Sequence, residues 1–165
     1  MTQDNRIYDS RNVANLLLEW AEDDERAFIP AQVVKLVYLC HGWTLGLWHR
    51  PLIIEDVEAW WIGPVIRRLH NEVGEGTQAV DGRLNAPAGA GFTEEEETII
   101  RRVFEVYGGL NAVRLSSLTL TRGTPWDITW RRHGADAVIP KDLIEAHFSA
   151  LARLSGDKVA TSTPD

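Results

Sequence analysis

From Pro30 to Trp48 the chain offers a helix with almost no polar side. Val33, Leu36, Val37, Cys40, Trp43, Thr44 and Leu47 recur at spacings of three and four, while Val34, Leu39, Leu45 and Trp48 widen the apolar face around the axis. A helix of this kind has to be surrounded by other elements, so the rest of the chain must supply its cover. Pro30 suits the first position, where its missing amide costs nothing. Gly42 and Gly46 stand four apart on one edge. Each costs about 1 kcal/mol relative to alanine in a helix interior, and close approach of a neighbouring helix or strand accounts for the pair.

The remaining segments have the lengths such a cover needs. Arg11 to Glu22 places Val13, Leu16, Leu17 and Trp20 on one face, with Asp9 or Ser10 as N-cap. Leu52-Ile53-Ile54 and Val57 to Ile62 are short and rich in β-branched and aromatic residues, which predicts one or two strands in a small hairpin. Gly63-Pro64 breaks that pattern, and Pro64 then opens a helix from Val65 to Val73. The glycine-rich stretch Gly74 to Gly91 reads as a mobile surface loop and a contact element. Thr93 and Glu96 form a capping box for a helix from Glu94 to Tyr107, and the run of glutamates sits at the positive end of its dipole. Short helices follow from Asn111 and from Pro125, and a last one runs from Pro140 to Gly156. The expected fold is mainly α: a compact single-domain bundle of about six helices with a short β-hairpin before the G-P-V turn. The domain spans 1–158 and a disordered tail 159–165.

At 165 residues the chain can bury about 70% of its unfolded surface without help from a metal or disulfide. A net charge of −7 argues against a protein whose main task is to wrap nucleic acid. The acid is uneven, however: Arg114, Arg122, Arg131 and Arg132 face only Asp127 over that stretch, which keeps a nucleic-acid-binding regulator as the alternative. The lone Cys40 excludes an intramolecular disulfide and fits a reducing compartment. With no apolar run of the ~20 residues a bilayer requires and no signal-like apolar core near Met1, the expectation is a cytoplasmic protein without a membrane partner.

Chemistry is sparse. Cys40 and His41 point about 100° apart on a helix and cannot easily grip one metal ion, and Cys40 lies on the apolar stripe. A hydrolase using Glu55, Glu58 or His41 as its base is the weakest of the readings, and no catalytic residue, metal or cofactor is expected. The tryptophans say more. Trp20, Trp43 and Trp126 read as core, but adjacent strand residues face opposite ways, so Trp60 and Trp61 cannot both be buried. An exposed aromatic beside arginine is typical of a protein interface.

The order of these landmarks resembles the Panacea domain, the SocA-like antitoxin family often described as phage-associated proteins. The resemblance rests on Lys35-Leu36-Val37-Tyr38, Arg50-Pro51-Leu52-Ile53, Glu58-Ala59-Trp60 and Ile62-Gly63-Pro64-Val65, then on Leu115-Ser116-Ser117-Leu118-Thr119, Pro125-Trp126 and Ile139-Pro140 with Ile144. It covers roughly residues 10 to 155 and departs from the family where a Thr-His pair gives way to Thr119-Leu120. It implies a helical domain without catalytic residues that neutralises a cognate protein toxin, encoded by a neighbouring gene, by direct binding. A role as adaptor to a protease and a homodimer are both compatible with it. The toxin-binding surface expected on this reading is Lys35, Tyr38, Trp60, Trp61 and Arg67, with Gly74 to Gly91 as a clamp.

Overall fold

The computed structural model describes residues 7–89 and 91–161, with side chains to Gly156. Among them are seven helices and one three-stranded sheet: α1 (Ser10–Asp23), α2 (Pro30–Trp48), β1 (Glu58–Trp60), β2 (Gly63–Val65), α3 (Arg67–Val73), α4 (Glu94–Tyr107), α5 (Ala112–Leu120), α6 (Pro125–His133), β3 (Ala137–Val138) and α7 (Lys141–Thr161). The fold is mainly helical, as the periodicity requires.

The helix α2 is the axis. It packs against α1, α3, α4, α5, α7 and β2, and Val33, Leu36, Val37 and Cys40 have no exposed surface. The neighbour that the two glycines admit is α7. A Cβ on Gly42 would overlap the Phe148 ring, and one on Gly46 would lie 2.6 Å from the carbonyl carbon and Cβ of Phe148. Phe148 in turn meets Trp43 edge to face, with 5.4 Å between centroids. No helix among the described residues is long and apolar enough to cross a membrane.

Local chemistry sets several boundaries. Asp9 caps α1 by accepting from the Arg11 amide at 2.9 Å, and its contacts with Arg11 hold its carboxyl down to about 2. At α4 the reciprocal capping box forms: Thr93 accepts from the Glu96 amide at 3.2 Å, and Glu96 accepts from the Thr93 amide at 2.8 Å. Glu96 is buried and also receives the Tyr8 hydroxyl, which ties α4 to the segment before α1.

Four expectations are corrected. The G-P-V segment is not a turn followed by helix: Gly63–Val65 is the second hairpin strand, paired antiparallel as Glu58↔Val65, Ala59↔Pro64 and Trp60↔Gly63. Pro64 is tolerated because β2 is an edge strand, and the helix begins only at Arg67. A third strand, Ala137–Val138, covers the other side of β1. The loop 74–91 is tied down, since Asn15 bonds both the amide and the carbonyl of Leu84 and the Val80 amide donates to Phe28. Finally, α7 runs past Gly156 to Thr161, because an exposed glycine at ordinary φ costs a helix only about 1 kcal/mol. Residues 162–165 of the expected tail lie outside the described residues.

His41 is buried on α2, and its Nδ1 accepts from the Leu52 amide at 3.2 Å. Burial, with Lys141 adding to it, lowers its pKa from 6.5 to about 3. The unfolded chain therefore takes up the proton first, and the stability this neutral ring contributes above pH 6.5 drains away as the pH falls toward 3. At about pH 5 the loss is roughly 2 kcal/mol. His41→Asn keeps an acceptor for the amide, so denaturant melts across that range show a flatter slope than wild type, leaving the contributions of His147, which burial also lowers, and of the ion-paired carboxylates Asp9, Glu58 and Asp127. Gly46→Ala, by contrast, pushes α7 off its seat and costs about 1–3 kcal/mol at any pH.

Candidate functional site

The hairpin turn Trp60-Trp61-Ile62-Gly63 is held from two sides by groups far away in sequence. From α2 the Lys35 ammonium donates to the Ile62 carbonyl at 3.0 Å. From α6 the Trp126 indole N–H donates to the Trp60 carbonyl at 2.6 Å, with Trp126 itself stacked on Trp130. Gly63 adopts a φ of +118°, and a Cβ there would lie 2.9 Å from the Lys35 Nζ. Only glycine lets the turn come down onto the lysine. The turn therefore stands in one conformation, with both carbonyls taken by donors beneath it.

What the turn presents is Trp61, 78% exposed and the most exposed large hydrophobic side chain among the described residues. Its neighbour Trp60 is half-buried, edge-on to His70 at 4.9 Å and under the Arg67 guanidinium at 5.2 Å. Arg67 also holds Glu58 bidentately, at 2.7 and 3.0 Å, and keeps that carboxyl below its usual range. Below the turn lies an open cleft of about 360 Å³, lined by Lys35, Trp60, Trp61, His70, Gly74–Gly76 and Ser116 over an apolar floor that includes Val34 and Val65.

Of the five residues expected to form a binding surface, four gather here and one does not. Trp60, Trp61 and Arg67 surround the turn. Lys35 supports it from inside at 4% exposure. Tyr38 is 2% exposed, packs edge to face on Phe148 and lines a different cleft, between α2, α5 and α7, so it has no direct part in this surface. Of the loop 74–91 only its first residues reach the cleft. His70 and Ser116 belong to the lining without any signal in the sequence, since one surface histidine or serine on a helix looks like any other.

The catalytic alternatives separate. Glu55 receives the amide and hydroxyl of Ser10 at the start of α1, Glu58 is engaged by Arg67, and His41 accepts backbone amides in the core. Burial pushes the Cys40 thiol up. Among the described residues no three His, Cys, Asp or Glu side chains are grouped as a metal site. Of the four arginines on α5, α6 and the loop between them, Arg131 pairs with Asp127 at 2.8 Å.

The model for the family described as antitoxin SocA-like, Panacea domain, matches residues 33–127, and the chain belongs to that family. The matched stretch starts inside α2 and ends in the first turn of α6, so it contains Lys35, the whole hairpin, Ser116 and Trp126. Antitoxin SocA of Caulobacter vibrioides (strain NA1000 / CB15N) is 28% identical over 145 residues, a match covering 78% of this chain and 73% of that one. No solved structure matches the chain.

Burial lowers the pKa of Lys35 from 10.5 to about 8. The folded state thus releases this proton before the unfolded chain does, and the cost of the buried charge, present in full below pH 8, is relieved as the pH rises toward 10.5. Relative to Lys35→Met, wild type gains about 2 kcal/mol between roughly pH 8 and 10 in paired denaturant melts. Burial raises Tyr38 and Cys40 in both proteins, so their opposite, alkaline loss cancels in the comparison. Parallel pH profiles for the two proteins would show Lys35 to be solvated.

Proposed function

We propose that the protein is an antitoxin that neutralises a cognate protein toxin by binding it directly, with the surface around the hairpin turn as the interface. It acts by occupying or misaligning the toxin's working surface and performs no chemistry of its own. Family membership and the name of the Caulobacter relative support the antitoxin role. The observation that carries the interface is Trp61, exposed at the tip of a turn whose two carbonyls are bonded to Trp126 and Lys35. An aromatic side chain held out on a rigid support loses little freedom on binding, which is the usual character of an interface hot spot. Lys35 contributes by holding the turn, Trp60 and Arg67 by flanking it. Handing the bound toxin to a protease extends the same reading and needs a second surface left free in the complex.

The experiment is co-expression with the product of the adjacent gene. Rescue of growth and a stable co-purified complex are expected. Trp61→Ala leaves the melting temperature within a degree or two and weakens the complex by roughly 30-fold or more. Absence of both complex and rescue would sink the proposal. Toxin half-life with and without the antitoxin separates proteolytic delivery from occlusion. A nucleic-acid role keeps one observation in its favour: among the described residues Arg114, Arg122 and Arg132 form no ion pair. It requires duplex binding that weakens steeply with salt.

A further inference from the structure

We infer that the cleft beneath Trp61 receives an acidic side chain of the toxin, an aspartate or glutamate whose carboxylate gives Lys35 the counter-ion it lacks among the described residues. The inference rests on the antitoxin reading and adds the chemistry of the contact. A buried ammonium is normally paired, because desolvating a charge without a partner is costly. Lys35 has three N–H donors and one acceptor, the Ile62 carbonyl, and no carboxylate lies within ion-pair distance of it among the described residues. In a chain with 24 Asp and Glu against 17 Lys and Arg, an unpaired lysine at 4% exposure stands out.

The acids near enough to serve are already committed. Glu58 is held by Arg67 at 2.7 Å. Glu75, in the cleft lining, is 82% exposed at its side chain and bonded to His70 at 3.1 Å. Among the described residues no other titratable side chain lines the cleft. On the Gly63 side the ammonium is crowded, since even a single added carbon would come within 2.9 Å. The cleft supplies the free approach. Ser116, half-buried in its wall, offers a hydroxyl that makes no hydrogen bond among the described residues, a second donor for a carboxylate. Val34, Val65 and the two tryptophans would cover the aliphatic stem. A protein side chain fits better than a free small acid because Trp61 stands at the mouth. A small molecule in the cleft leaves that indole in water, whereas a partner surface fills the cleft and covers Trp61 together.

The test has two arms. In the first, the adjacent gene's product is the probe. Lys35→Gln, checked for an unchanged fold by its melt, weakens the complex by about 30-fold or more. One Asp→Asn or Glu→Gln change in the toxin produces the same loss, and the two together lose little more than either alone. A complex that forms normally with Lys35→Gln, or additive losses at every acidic position of the toxin, overturns the inference and leaves the antitoxin reading standing. The second arm needs neither toxin nor variant. N-acetyl-aspartate methylamide titrated into the isotope-labelled protein shifts the Trp60 and Trp61 indole N–H signals saturably, and the isosteric asparagine compound does not. Equal shifts with both, no shift with either, or acetate binding as tightly as the aspartate compound overturns it. A positive second arm without any toxin complex would retain the cleft's chemistry and remove the antitoxin reading.

Discussion

Two hydrogen bonds hold the part of this molecule that faces outward: Lys35 to the Ile62 carbonyl and the Trp126 indole to the Trp60 carbonyl. A two-residue turn on a three-residue hairpin has little stability of its own in water. Here its carbonyls are taken by donors from α2 and α6, and β1 is paired on its other side by β3. The donors come from below, so the turn's outer surface stays free and Trp61 is displayed. The most exposed large hydrophobic side chain among the described residues is thereby supported from the buried helix α2.

That element, α2, combines two demands. It must be apolar almost all round to serve as the axis, yet it carries Lys35, His41 and Thr44 inside. Each finds a partner, and two of them organise a neighbour in doing so. Lys35 takes the hairpin turn, His41 takes the amides of Leu52 and Ile53 on the segment leading to β1, and Thr44 returns to the Cys40 carbonyl in its own helix. Burial keeps His41 neutral, which suits a ring that accepts backbone N–H groups. It disfavours the charge on Lys35, which among the described residues has a carbonyl dipole in place of a counter-ion. The same desolvation therefore steadies one side chain and leaves the other with unspent attraction for an anion.

The landmarks on which the family resemblance rests are separated along the chain and meet in space. Lys35 on α2, Ala59-Trp60 on β1, Gly63-Pro64-Val65 on β2, Thr119 at the end of α5 and Pro125-Trp126 at the start of α6 all converge on one turn. Thr119 and Leu120 lie over Gly63, with the Leu120 methyl 3.4 Å from where a Cβ would stand. The leucine thus adds an apolar contact beside the Lys35 ammonium and the Thr119 hydroxyl.

Much of the architecture is written in local chemistry. The apolar circumference of α2, the capping box of Thr93 and Glu96, the Asp9 cap and the proline starts of α2 and α6 depend on residues a few positions apart, and each element forms where those residues place it. The glycine pair on α2 announces a close neighbour without naming it. Long-range pairing decided the rest. Ala137–Val138 becomes a strand because β1 has an open edge beside it, Gly63–Val65 becomes a strand because Glu58–Trp60 pairs with it, and the acceptor of Lys35 comes from 27 residues away. Lys35 and Tyr38 share a short motif, but only packing sends the first under the hairpin and the second against α7. The sequence by itself determined a helical domain built around one buried helix and marked Trp60-Trp61 as unable to be buried together. Which tryptophan is displayed, and that a lysine with no counter-ion among the described residues lies beneath it, was decided only when distant donors met the carbonyls of the turn.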